Sequence, residues 1–117
     1  MKLYEFTLEI QDGENEYTLS RYVAAETQNG AARYAKKIAH EYQPFARYDA
    51  HSDYWEGRGG YPMWRIGSIC EVKEIVAYAA DGTSVVTFGV TQLYRTDGSK
   101  PRLQIVPRNN EPKPERA

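Results

Sequence analysis

The sequence predicts an α+β fold, an antiparallel sheet of four or five strands with one amphipathic helix packed on one face. Three observations carry this. Residues 2–10, KLYEFTLEI, alternate in polarity with period two, as a half-buried strand does. Residues 28–42 repeat apolar side chains at helical spacing and gather cations on the opposite side. The pairs Asp12-Gly13, Asp81-Gly82 and Asp97-Gly98 then punctuate further alternating runs, as hairpins require.

The first strand places Tyr4, Phe6, Leu8 and Ile10 on one face and Leu3, Glu5, Thr7 and Glu9 on the other. A second strand fits Glu16 to Ala24, with Tyr17, Leu19 and Val23 inward and Thr18, Ser20 and Tyr22 outward. The helix begins after Thr27, a good N-cap, and ends near Tyr42 or Gln43 because Pro44 follows. Ala31, Ala35, Ile38 and Tyr42 form its apolar stripe, flanked by Tyr34 and Ala39. Arg33, Lys36, Lys37, His40 and Glu41 take the polar side.

Residues 44–63 read as a long, mostly irregular connection whose aromatic content folds it back on the sheet or helix. Trp64, Ile66, Cys70, Val72 and Val76 then share one parity, so Cys70 is expected inside, buried and inert. SVVTFGVTQLY, residues 84–94, forms the next strand with Val86, Phe88, Val90 and Tyr94 on one face. RLQIV, residues 102–106, adds a short last one. The element order is strand, strand, helix, long loop, then two or three strands. The expected boundaries are a single domain over residues 1–106 and a disordered, proline-rich and charged tail over residues 107–117.

Bulk composition narrows the function classes. The chain has 117 residues, 41% hydrophobic and 26% charged, within the globular range. Fifteen basic residues face sixteen acidic ones, so no global charge directs it to nucleic acid or membrane. Cys70 is the only cysteine, which excludes an internal disulfide and a cysteine-based zinc site within one chain. MKLYEFTLEIQD has neither a long apolar run nor a cleavage pattern, so no secretory leader is expected. A cytoplasmic location is the expectation, with no membrane partner. Ten tyrosines against three phenylalanines suit half-buried and interfacial positions.

Three constellations bear on chemistry. His51, Asp53 and Glu56 lie within six residues and offer ligands or acid–base groups for a small metal-dependent hydrolase. Their spacing matches no established metal motif, and the expectation is a protein that is not an enzyme, with no metal and no cofactor. The second constellation, YWEGRGGYPMWR, supplies Tyr54, Trp55, Arg58, Tyr61, Trp64 and Arg65, with Arg33, Lys36, Lys37 and Arg47 nearby in sequence. Aromatic platforms interleaved with cations suit single-stranded nucleic acid. Opposed to that is an acidic first hairpin carrying Glu5, Glu9, Asp12, Glu14 and Glu16.

The third constellation is the same loop read as a protein interface, where Tyr, Trp and Arg concentrate binding energy. In this reading Tyr54, Trp55, Arg58 and Tyr61 contact the partner, with Trp55 an exposed anchor and Trp64 a core residue. The basic helix side is a second surface, and self-association into a homodimer is compatible with the separated charges. YVAAETQNGAARYAKKIA, residues 22–39, resembles a strand-into-alanine-rich-helix pattern in many small α+β domains of phages and plasmids. Some of those inhibit bacterial defence systems. The expected function is therefore a small non-catalytic protein-binding module, an inhibitor or regulator acting by surface occlusion. The alternatives are a single-stranded nucleic-acid binder and the metal-dependent hydrolase.

Overall fold

The computed structural model describes residues 1–82, 85–93, 97 and 102–108. Strand β1 (Lys2–Asp12) and strand β2 (Asn15–Ala25) form the expected hairpin, in unbroken antiparallel register from Lys2↔Ala25 to Asp12↔Asn15. Helix α1 (Gln28–His40) follows, and the Thr27 hydroxyl accepts the Gly30 N–H at 3.0 Å as its N-cap. The long connection contains two short strands, β3 (Arg47–Asp49) and β4 (Tyr54–Glu56), and a 3₁₀ turn over Arg58–Gly60. Strand β5 (Met63–Glu71) closes a five-stranded sheet of order β2-β1-β5-β4-β3.

The α+β class holds: among the described residues every strand pair is antiparallel and one α-helix packs on the sheet. The core lies between α1 and the inner face of this sheet. Tyr4, Phe6, Leu8 and Ile10 are buried on β1, as the period-two pattern required. Ala31, Ala35 and Ala39 are the buried stripe of α1, and their small side chains let the helix approach the sheet closely. Trp64 sits at the centre, fully buried, and donates its indole N–H to the Ala39 carbonyl at 2.7 Å. Burying a large apolar side chain contributes roughly 1.5–3 kcal/mol, so these few residues dominate the stability of this half.

The remaining strands form a separate sheet, β6 (Glu74–Tyr78), β7 (Val85–Leu93) and β8 (Arg102–Pro107), in that order. The run that reads as one strand from Trp64 to Tyr78 therefore divides between two sheets. Val72 N–H still bonds the Leu3 carbonyl at 2.8 Å, which ties the second sheet to the first at the division. No helix covers this second sheet among the described residues. Val76, Tyr78, Val85, Val86, Leu93 and Ile105 remain exposed on it. Tyr94, Gly98 and the tail from Asn109 lie outside the described residues, so the expectations for them stand apart from this description. Pro107 closes β8, and the Arg108 N–H bonds the Thr87 carbonyl at 2.8 Å.

Cys70 corrects the parity argument. Leu8 faces Ile66 and Phe6 faces Ile69, so Gly67 and Ser68 together oppose Thr7 alone. This β-bulge reverses the inward set from that point. Ile69 packs against the core, and Cys70 turns outward opposite Glu5, exposed. Thr7 fills the gap, its hydroxyl oxygen accepting the Ser68 N–H at 3.1 Å. Gly67 leaves room there for the Glu9 carboxylate and the Thr7 hydroxyl, which a Cβ at this position would crowd.

Candidate functional site

The aromatic loop is built on the β3–β4 hairpin. Gly57 N–H bonds the Pro62 carbonyl at 2.9 Å and Gly60 N–H bonds the Gly57 carbonyl at 3.0 Å, so the loop between them is a closed turn. Gly57 is buried where the chain crosses itself; a Cβ there would stand 2.7 Å from the Tyr61 carbonyl oxygen. The glycines of this stretch thus allow the chain to fold tightly beside aromatic groups.

The loop does not present the residues as expected. Trp55 is only 3% exposed and belongs to the core, pairing across the sheet with Trp64. Tyr48 lies against it with ring centroids 4.6 Å apart. The expectation of an exposed Trp55 anchor is corrected, because period two along β4 sends Trp55 inward and its neighbours Tyr54 and Glu56 outward. Tyr54 is half-buried on the outer face, beneath the Arg65 guanidinium at 5.5 Å. Arg65 also donates to the Glu9 carboxylate at 2.8 Å. Arg58 and Tyr61 are exposed.

Phe45 was not singled out in the sequence, and it completes the surface. Its ring is 69% exposed and lies beneath the Arg58 guanidinium at 4.9 Å. Its backbone takes φ of 60°, a left-handed conformation that L residues other than Asn and Asp rarely adopt. Phe45, Arg47, Glu56 and Arg58 line an open cleft of about 450 Å³. They make an aromatic–arginine patch at one edge of the five-stranded sheet, and Tyr61, 62% exposed, lies in the same closed turn as Arg58. The only signal for Phe45 in the sequence is an apolar residue placed directly after the proline that stops the helix.

The cations divide between two places. Arg47 stands in the cleft beside Arg58. Arg33 and Lys37 line a second pocket of about 420 Å³, formed with Ala24, Ala25, Gly30 and Tyr34. Lys36 is exposed on the helix and lines neither pocket. Tyr34, expected to flank the buried stripe, is 56% exposed beside Arg33. Arg33, Lys36, Lys37 and Arg47 form no ion pair among the described residues.

The His51 group makes a turn. Asp49 accepts the His51 backbone N–H and the Ser52 hydroxyl, both at 3.0 Å. The Ser52 hydroxyl, then the His51 N–H, hold the Asp49 carboxyl below the usual carboxylate range. Asp53 accepts the Tyr48 hydroxyl, and that bond pushes the Tyr48 phenol above its ordinary value. The two carboxylates are thus engaged in hydrogen bonds that shape the hairpin. Among the described residues no three His, Cys, Asp or Glu side chains gather as a metal ion needs. The same residues include no helix long and apolar enough to cross a membrane.

No family model matches this chain, and no curated protein or solved structure shows significant similarity to it.

Proposed function

We propose that this chain is a small non-catalytic protein-binding module. It inhibits or regulates its partner by covering a surface, as some proteins of mobile elements do. The observation that carries the reading is the Phe45–Arg58–Tyr61 patch. A solvent-exposed aromatic ring in a rare backbone conformation, stacked under an arginine, has the composition of an interface hot spot, and the exposed Tyr61 belongs to the same closed turn as Arg58. The cleft beside it adds Arg47 and Glu56, polar groups suited to an interface rim. The basic side of α1 is the second surface of this reading.

The nucleic-acid reading is second to this one. Stacking needs open ring faces, and Trp55 and Trp64 are both in the core. The basic groups also stand in two separate pockets.

Affinity purification from the source cells, with the unmodified chain and with Phe45→Ala/Tyr61→Ser, tests the proposal. A protein retained by the first and lost with the second is the expected result. Identical sets of proteins from both, or retained nucleic acid that leaves as salt rises, would overturn it.

A further inference from the structure

Among the described residues, strand β2 is the edge of the five-stranded sheet and has β1 as its only neighbour. It is eleven residues long, continuous in register, and contains no proline and no bulge. Natural edge strands of this length are usually blunted by such devices, because alternate N–H and C=O groups face outward unpaired. Helix α1 runs back beside this edge. At one end Gly30, Arg33, Tyr34 and Lys37 stand over Ala24 and Ala25. At the other, the Tyr42 hydroxyl lies 3.5 Å from the Tyr17 hydroxyl. Gly30, Arg33, Tyr34 and Lys37 follow the i, i+3, i+4, i+7 spacing, so they form one stripe beside the alanine stripe that faces the core.

The result is a short groove at the Ala24–Ala25 end of the unpaired strand, with the helix stripe as its other wall. Its cations outnumber its carboxylates, with Arg33, Lys37 and Arg21 against Glu26 and, at the far end of β2, Glu16. Arg33 and Lys37 contribute cations without ion-pair partners among the described residues, and Arg21 on β2 adds a third near Tyr42. The carboxylate at the groove, Glu26, is already paired with the Met1 amino group at 3.5 Å. The floor at Ala24, Ala25 and Gly30 has small or no side chains and leaves about 420 Å³ beside the Tyr34 ring.

We propose that this groove binds an extended, acidic segment of a protein partner as an added strand of the sheet. The segment's backbone pairs with β2, which supplies affinity independent of sequence. Its carboxylates reach Arg33, Lys37 and Arg21, and a small apolar side chain enters the pocket against Tyr34. The assignment rests on the protein-binding reading above and names the partner's chemistry at the helix surface.

The test uses the full chain and a fluorescent peptide of alternating glutamate and valine, matched to the eleven residues of β2. Controls are the same peptide with lysine for glutamate, a version N-methylated at alternate residues, and oligothymidylate. Binding of the acidic peptide is expected, with NMR shifts confined to β2 and to residues Gly30 to Lys37. Arg33→Glu/Lys37→Glu, checked for native helicity by circular dichroism, should weaken it about tenfold or more. The lysine and N-methylated peptides should not bind. Failure of the acidic peptide to bind, equal binding by the charge variant, shifts elsewhere, or preference for oligothymidylate would overturn the groove assignment. Phe45→Ala/Tyr61→Ser should bind the peptide unchanged. A partner captured through Phe45 but indifferent to Arg33→Glu/Lys37→Glu would therefore remove this inference and leave the broader reading intact.

Discussion

Trp64 donates its indole N–H to the Ala39 carbonyl at 2.7 Å and joins the middle of the sheet to the last turn of α1. The carbonyls of a helix's last turn lack intrahelical partners; the Ala39 carbonyl is shared between the Trp64 indole and the Tyr42 N–H at 3.3 Å, so one side chain fills the core and helps cap the helix. Tyr42 stacks edge-on against the same indole with centroids 5.2 Å apart. Trp64→Phe keeps much of the volume and loses the hydrogen bond. It should cost about 1–3 kcal/mol in urea unfolding, with the first loss of helicity at the C-terminal end of α1.

Trp55 is the second core indole. Trp55→Ala should destabilise the chain by about 3 kcal/mol or more, the cost of a large cavity. Urea unfolding followed by far-ultraviolet circular dichroism measures it. A change below about 1 kcal/mol would place the residue at the surface.

Phe45 separates stability from binding. Its φ of 60° strains a phenylalanine and suits a glycine. In Phe45→Gly the relieved strain and the added freedom of the unfolded chain oppose each other, each about 1 kcal/mol. The melting temperature should therefore stay nearly constant while partner binding falls. A drop in stability of several kcal/mol would show that the exposed ring supports the fold.

Cys70 reports on the bulge at Gly67 and Ser68. An exposed thiol reacts in the native state, so a chromogenic disulfide reagent should modify one thiol per chain without denaturant, at a rate near that of the unfolded chain. Protection until unfolding would mean that the inward parity runs through β5 unbroken.

Acid should loosen the β3–β4 turn. The folded Asp49 carboxyl is held below the ordinary range because its charged form accepts the Ser52 hydroxyl and the His51 N–H. Its contribution is complete above the ordinary carboxylate value of about 4. It is lost as pH falls through the lowered folded value. The His51 amide signal should follow that titration, and Asp49→Asn should abolish it. An amide signal in the natural chain that stays flat through this range would remove Asp49 from the turn.

Where one period governs a whole element, the sequence is legible. The four inward residues of β1, the Thr27 cap and the alanine stripe of α1 follow directly from spacing. The bulge is not legible, because Gly67-Ser68 carries no mark that distinguishes an inserted residue from a continuing strand. From there the parity of Cys70 inverts. The short strands β3 and β4 escape too, since three residues cannot display a period. Their pairing is what buries Trp55 and leaves Phe45 outside. The division into two sheets depends on which strands find partners, and a run of alternating residues is silent about its neighbours.

The central claim is that this chain binds a protein through its exposed aromatic patch. Photo-cross-linking in the source cells tests it most directly, with a benzophenone amino acid at position 45 and, as control, at the exposed Tyr78 of the second sheet. A discrete protein adduct from position 45 that Tyr78 does not give is the predicted result. No adduct, a nucleic-acid adduct, or the same adducts from both positions would contradict it.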